Sequence, residues 1–127
     1  MFDEADPLLG RVRALALAFP DAAEKISHGR PAFYTTKVFA YYGASVKVDG
    51  AHHQHDQSVI VLVDHEERAA LLAEDRCFAP AYLGPSGWVG VDLSDDNGWD
   101  EVEELLDASY RHTAGARRIA LLDARRP

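Results

Sequence analysis

The densest set of side chains able to hold a metal is His52, His53, His55 and Asp56, packed into five residues. Imidazole nitrogens with a carboxylate suit zinc, copper or nickel. Adjacent histidines on one short loop close a tetrahedral site poorly, and the single cysteine, Cys77, is distant in sequence. The expectation is a solvated polar loop without metal, and a protein without a cofactor. Cys77 lies beside Phe78 and Ala79, a packing context rather than that of an activated nucleophile. Asp95, Asp96, Asp100, Glu101, Glu103, Glu104 and Asp107 gather where a helix should begin. The helix dipole favours negative charge there, so a solvated helix face is expected, with an iron-holding acidic ridge as the alternative. The chain has no G-x-S-x-G, no H-E-x-x-H and no G-x-x-x-x-G-K-[ST]. Gly84, Gly87 and Gly90 precede a strand, so they lack the helix N-terminus that phosphate binding uses. No catalytic residue is assigned, and the chain reads as a non-enzyme.

The basic and aromatic residues carry more. Lys25, His28, Arg30, Lys37 and Lys47 all fall on predicted strands or their turns, and the three lysines are all the chain has. Tyr34, Tyr41 and Trp88 are placed by strand parity on the face away from the helices. Cations and aromatics on an open sheet can stack bases or grip a peptide. Lys25, Arg30, Lys37, Lys47 and Trp88 are therefore candidate contacts for an anion or nucleic acid. The plain alternative is that they solubilise an exposed face. A small-molecule or catalytic cleft near Arg30 and Trp88 is a third possibility. Charge cuts against DNA: the net charge is −8, with −2 on residues 1–64 and −6 on residues 65–127. Non-specific DNA affinity comes from phosphate neutralisation, so a local cluster would have to overcome the whole-molecule field.

The elements that position these residues follow from pattern. Asp6 before Pro7 is a helix start, and Leu8, Val12, Leu15 and Phe19 form a stripe, predicting a helix over 7–18 that ends before Pro20. Strands are predicted at 24–28, 32–35, 37–42 and 45–49, with Gly43 breaking the last two apart. Residues 50–56 are predicted as a polar loop, and 58–63, apolar on both parities, as a central strand. Asp64 and Glu67 open a helix to about 73. Residues 74–85 are irregular. A strand over 87–93 points Val89, Val91 and Leu93 inward and leaves Trp88 accessible or in a shallow groove. Asp95 to Gly98 form a turn and N-cap cluster, followed by a helix over 99–113 and a short helical tail over 116–122.

Consecutive strands imply hairpins, so the class is α+β: a single antiparallel sheet of about five strands with helices on one face and the other partly open. The 127 residues fit one domain, with its core at about 7–113 and a tail at 114–127. Hydrophobic residues make up 47%, which excludes a disordered chain. The longest aliphatic run, Val59–Val63, cannot span a bilayer. The acidic N-terminus and lone cysteine predict a soluble cytoplasmic protein without a disulfide or membrane partner. Ten arginines against three lysines fit a GC-rich bacterial genome.

His28-Gly29-Arg30-Pro31-Ala32-Phe33, followed by Lys37-Val38-Phe39-Ala40, resembles the N-terminal signature of the MmcQ/YjbR family. Val63 to Arg68 with Leu71-Leu72 is similar to its strand–helix junction. Gly84 to Val91 resembles its glycine–tryptophan strand, and Trp99 to Tyr110 its last helix. The resemblance covers about residues 8–113. It implies a CyaY-like, double-wing α+β fold and a DNA-binding role. On it, Gly29, Pro31, Phe33, Phe39 and Trp88 are structural, while Arg30 and Lys37 contact an anion. Residues 43–57 depart from the family pattern as an enlarged connection.

Overall fold

The computed structural model describes residues 2–95 and 98–125. Six strands form one antiparallel sheet: β1 (Ala23–Ser27), β2 (Arg30–Tyr34), β3 (Val38–Val48), β4 (Ala51–Leu62), β5 (Cys77–Phe78) and β6 (Trp88–Asp92). Their spatial order is β1-β2-β3-β4-β6-β5. Four helices accompany them: α1 (Pro7–Leu17), α2 (His65–Leu72), α3 (Trp99–Thr113) and α4 (Ala116–Ala124). The α+β class and single antiparallel sheet are those expected, and the sixth strand is the short β5, from a stretch predicted as irregular. Among the described residues no helix is long and apolar enough to cross a membrane.

Two of the helices, α1 and α2, start where a capping aspartate puts them. Asp6 accepts from the backbone N–H of Leu8 at 2.9 Å, and Asp64 from that of Glu67 at 2.8 Å. Asp6 also accepts from the Tyr42 hydroxyl and from Gln57, tying the start of α1 to β3 and β4. Gly98 caps α3 without a side chain; Asp96 and Asn97 of the expected capping cluster lie outside the described residues.

One face of the sheet carries the core. Phe33, Ala40, Val61 and Val89 form one cross-strand row, and Tyr42, Val59 and Val91 the next. They pack with Leu9 and Val12 of α1, Leu71 of α2, Val102, Leu106 and Tyr110 of α3, and Leu122 of α4. Phe19, Phe39 and Tyr110 form an aromatic triangle with centroids 4.7–5.7 Å apart. The Tyr110 hydroxyl donates to the Pro20 carbonyl at 2.7 Å, which satisfies a polar group inside that cluster. Ser109 is fully buried and bridges the central strands: its hydroxyl donates to the Phe39 carbonyl at 2.6 Å and accepts from the Leu62 N–H at 2.8 Å.

Two expectations are corrected. Residues 37–42 and 45–49 are not separate strands but one strand, β3, which passes through a bulge at Gly43, and the expected loop over 50–56 is the first half of β4. The cause is Asp49-Gly50, both with positive φ, which makes a two-residue hairpin turn between Val48 and Ala51. That extension is largely exposed, so its strands are polar without being a loop. The second correction is Trp88, which is buried at 9% exposure; Val89 and Val91 are buried as expected and Leu93 is half-buried.

Candidate functional site

The second sheet face is less bare than strand parity suggests. Lys25, Ala32, Tyr41, Ile60, Gly90 and Phe78 stand in one register row across all six strands. A Cβ on Gly90 would lie within 2.2–2.7 Å of the Phe78 ring, so glycine is what lets that ring lie over β6. From Phe78 the chain folds back across this face through residues 79–87. The Ala81 N–H donates to the Ser45 carbonyl at 2.8 Å, and Arg68 of α2 donates to the Gly84 carbonyl at 3.0 Å. Ile60 and Trp88 are covered as a result, and the Trp88 ring meets Tyr41 edge-on at 5.2 Å.

Between this returning segment and the β1–β2 turn lies a groove of about 410 Å³. Tyr41, Gly43 and Ala44 of β3 line it, with Ser27 and His28 on one side and Ala81, Tyr82 and Leu83 on the other. Its volume is in the range of ligand sites. Arg30 also lines it, and its side chain is only 16% exposed. The guanidinium crosses β3 over Gly43, where an added Cβ would sit 2.3 Å from Nη1. It then donates to Gln54 at 2.6 Å and Asp56 at 3.2 Å. Gly43 is required twice, for its φ of +82° and for the passage of this side chain.

Tyr82 stands at the rim. Its φ is +67° and it is 83% exposed. A bulky residue in the left-handed region stores on the order of 1–3 kcal/mol, and such strain gathers at binding sites. The ring stacks with His52 at 6.0 Å. Below, burial pushes the Tyr41 hydroxyl up, so it is a neutral donor at physiological pH. Nearby, His55 Nδ1 meets Asp92 Oδ1 at 2.7 Å, and its ring stacks on Phe78 at 4.1 Å. Burial, with Glu74 as the next cause, pushes the Cys77 thiol up to about 11, so it stays protonated.

The structure does not gather the expected cations. Lys25 lies over the Tyr34 ring at 4.7 Å, on the groove face of β1. Lys37 is in the β2–β3 turn and Lys47 at the far end of β3. At roughly 3.3 Å per residue those two are about 30 Å apart. Of the lysines and arginine singled out, only Arg30 lines the groove, beside His28, and Trp88 lies behind Tyr41. The histidines are also separated: His52 faces Tyr82, His55 pairs with Asp92, exposed His53 opposes Val46, and Asp56 holds Arg30. Among the described residues no three His, Cys, Asp or Glu side chains are placed to share a metal ion. Pattern reading missed Tyr82, Gly43 and Ser45. The signals available were Pro80 and the Gly84-Pro85 pair, which bracket a short rigid segment around an aromatic residue.

A family model described as YjbR matches residues 17–112. A crystal structure of a Pseudomonas syringae protein superimposes with a TM-score of 0.63 at 14% identity, covering 82% of this chain and 97% of its own. A Deinococcus radiodurans protein, described with the domain DUF419, gives a TM-score of 0.60 at 20% identity, covering 80% and 75%. No curated protein matches. At these identities the two structures speak for the fold, which agrees with the sheet and helices described above.

Proposed function

This chain belongs to the YjbR family, and from that premise we propose that it is a non-enzymatic binding domain, with the groove between His28 and Tyr82 as its site and an extended segment of a protein partner as its occupant. The observation that carries this is the groove's make-up: an apolar and aromatic channel with a strained, exposed tyrosine at its rim and an arginine whose charge is met by Asp56. A peptide laid along β3 would bury its side chains against Tyr41, Ala44 and Leu83. The absence of enzymatic activity is part of the proposal; the protonated, half-buried Cys77 supports it. So is the cytoplasmic compartment, which suits an unpaired thiol.

DNA is the second reading. It is favoured by Lys25 and Arg30 sharing the groove face with Tyr34 and Tyr41. Against it, Arg13, Arg30, Arg76, Arg111, Arg117 and Arg118 are each matched to carboxylates, and the lysines lie at separate places.

The test uses a Trp99→Phe background, so that Trp88 emission reports on the groove floor through Tyr41. The probes are decamers selected from a random peptide array, and single- and double-stranded 30-mer DNA at about 50 mM salt. Expected is saturable binding of a selected peptide, abolished by Tyr82→Asn and by Ala44→Arg, with no response to DNA. DNA binding that weakens with salt at a log–log slope near −3 would replace the peptide by about three phosphate contacts. Silence toward every probe, with the protein folded, would defeat both.

A further inference from the structure

β1 is one edge of the sheet. The two-residue turn at His28-Gly29 makes Ser27 and Arg30 the closing pair of the β1–β2 hairpin. A closing pair exchanges both backbone hydrogen bonds, and the pattern alternates along the ladder. Ser27, Lys25 and Ala23 therefore bond inward to β2, while Ile26 and Glu24 turn their N–H and C=O groups outward. Pro31 agrees with this phase: it opposes Ile26 and has no N–H to give it. Ile26 also presents an apolar side chain, 56% exposed, beside a shallow hollow lined by Phe2, Glu4, His28 and Gly29. A flat strand with unpaired backbone groups is a template for another strand.

We infer that this rim pairs with the same rim of a second copy, antiparallel about a two-fold axis at Ile26, joining the two sheets edge to edge. Charge selects both occupant and register. A two-fold axis normal to the sheet sets residues of the same face opposite one another. Centred on Lys25, it would oppose two lysines; centred on Glu24, two glutamates; like charges directly opposite are destabilising. Centred on Ile26, it opposes the two isoleucines, sets Lys25 opposite Ser27, and brings Glu24 beside the exposed His28 turn of the other copy. Glu24 already accepts from Arg13 at 2.7 and 2.8 Å, so the histidine extends an existing network. Each Ile26 gives one N–H and one C=O to its counterpart. The contact is small, so the dimer is concentration-dependent.

Sedimentation velocity from micromolar to millimolar concentration tests this on the whole chain. The mass should rise toward that of a dimer in the wild type and stay that of a monomer in Ile26→Asp, whose fold circular dichroism would check. A second measurement fixes the register. In a Cys77→Ala background, Ile26→Cys should form an intermolecular disulfide under mild oxidation, because hydrogen-bonded opposite residues stand about 5.5 Å apart at Cα, within a disulfide's reach of roughly 4.4–6.8 Å. Lys25→Cys, opposite Ser27 rather than itself, should cross-link far less. A monomer at all concentrations with no cross-link overturns the inference. So does a dimer that survives Ile26→Asp, or a cross-link stronger at position 25 than at 26.

Discussion

Replacing Asp6 by alanine removes the N-cap of α1 and the acceptor of the Tyr42 hydroxyl together. Loss of an N-cap costs about 1 kcal/mol. The Tyr42 side chain is 1% exposed, so its hydroxyl finds no ready substitute in water. A buried donor left without a partner costs about 1–3 kcal/mol. The Gln57 contact is solvent-exposed and adds little. The expected loss is about 2–4 kcal/mol, or a fall in Tm of roughly 10 °C for a domain of this size. The effect has a pH signature. Burial disfavours ionised Asp6, but the bonds from Tyr42, Leu8, Gln57 and Leu9 outweigh it and hold the carboxyl below its usual value. Because the folded value is depressed, the stabilisation is full above the unfolded value of about 3.9 and drains away as pH falls through the folded one. Urea midpoints of wild type and Asp6→Ala should therefore differ most at neutral pH and converge toward pH 3. A double-mutant cycle with Tyr42→Phe should give a coupling of at least about 1 kcal/mol. Additive mutants, or a gap as wide at pH 3 as at pH 7, would refute the assignment.

Gly43→Ala should destabilise by about 2 kcal/mol or more, read by thermal melts, since it meets both a positive φ and the Arg30 guanidinium. Arg30→Ala should lower Tm measurably, because its side chain links β2 to Gln54 and Asp56. If it instead left Tm unchanged and weakened DNA binding, the arginine would be a contact residue. Tyr82→Asn should keep or raise Tm, because asparagine tolerates the left-handed region, while abolishing peptide binding. Gly90→Ala should expel the Phe78 ring and expose Trp88, seen as a red shift of emission in the Trp99→Phe background.

Legibility in the sequence tracked how local the cause was. Asp6-Pro7, Asp64 with Glu67, and the Trp99–Tyr110 stripe act within a turn or two, and the helices stand where these place them. The parity of Val89 and Val91 was legible for the same reason. Gly43 was misread because a glycine that breaks a strand and one that bulges it look alike until Arg30, thirteen positions earlier, is seen crossing it. Trp88 was misplaced because parity gives a face and not what covers it; the cover is residues 79–87, anchored by Arg68 and Ser45. The groove depends on that cover, so Pro80 and Gly84-Pro85 mark a rigid segment around Tyr82 but not the groove whose rim it forms. The cations were legible as a set but not as a site, since one strand can carry two of them to opposite ends of a sheet.

Ser109 gives the fold an order of assembly. Its one hydroxyl accepts a hydrogen bond from the Leu62 N–H on β4 and donates one to the Phe39 carbonyl on β3, so both bonds are made together only once the two strands are side by side. The docking of α3 is thereby coupled to the pairing of β3 with β4, across 70 positions of chain. A contact of that separation is closed late by entropy, yet it joins the helix to the centre of the sheet. Ser109→Ala tests this: where the helix and the hairpin meet in the folding transition state, the forward rate should fall and the reverse rate move less.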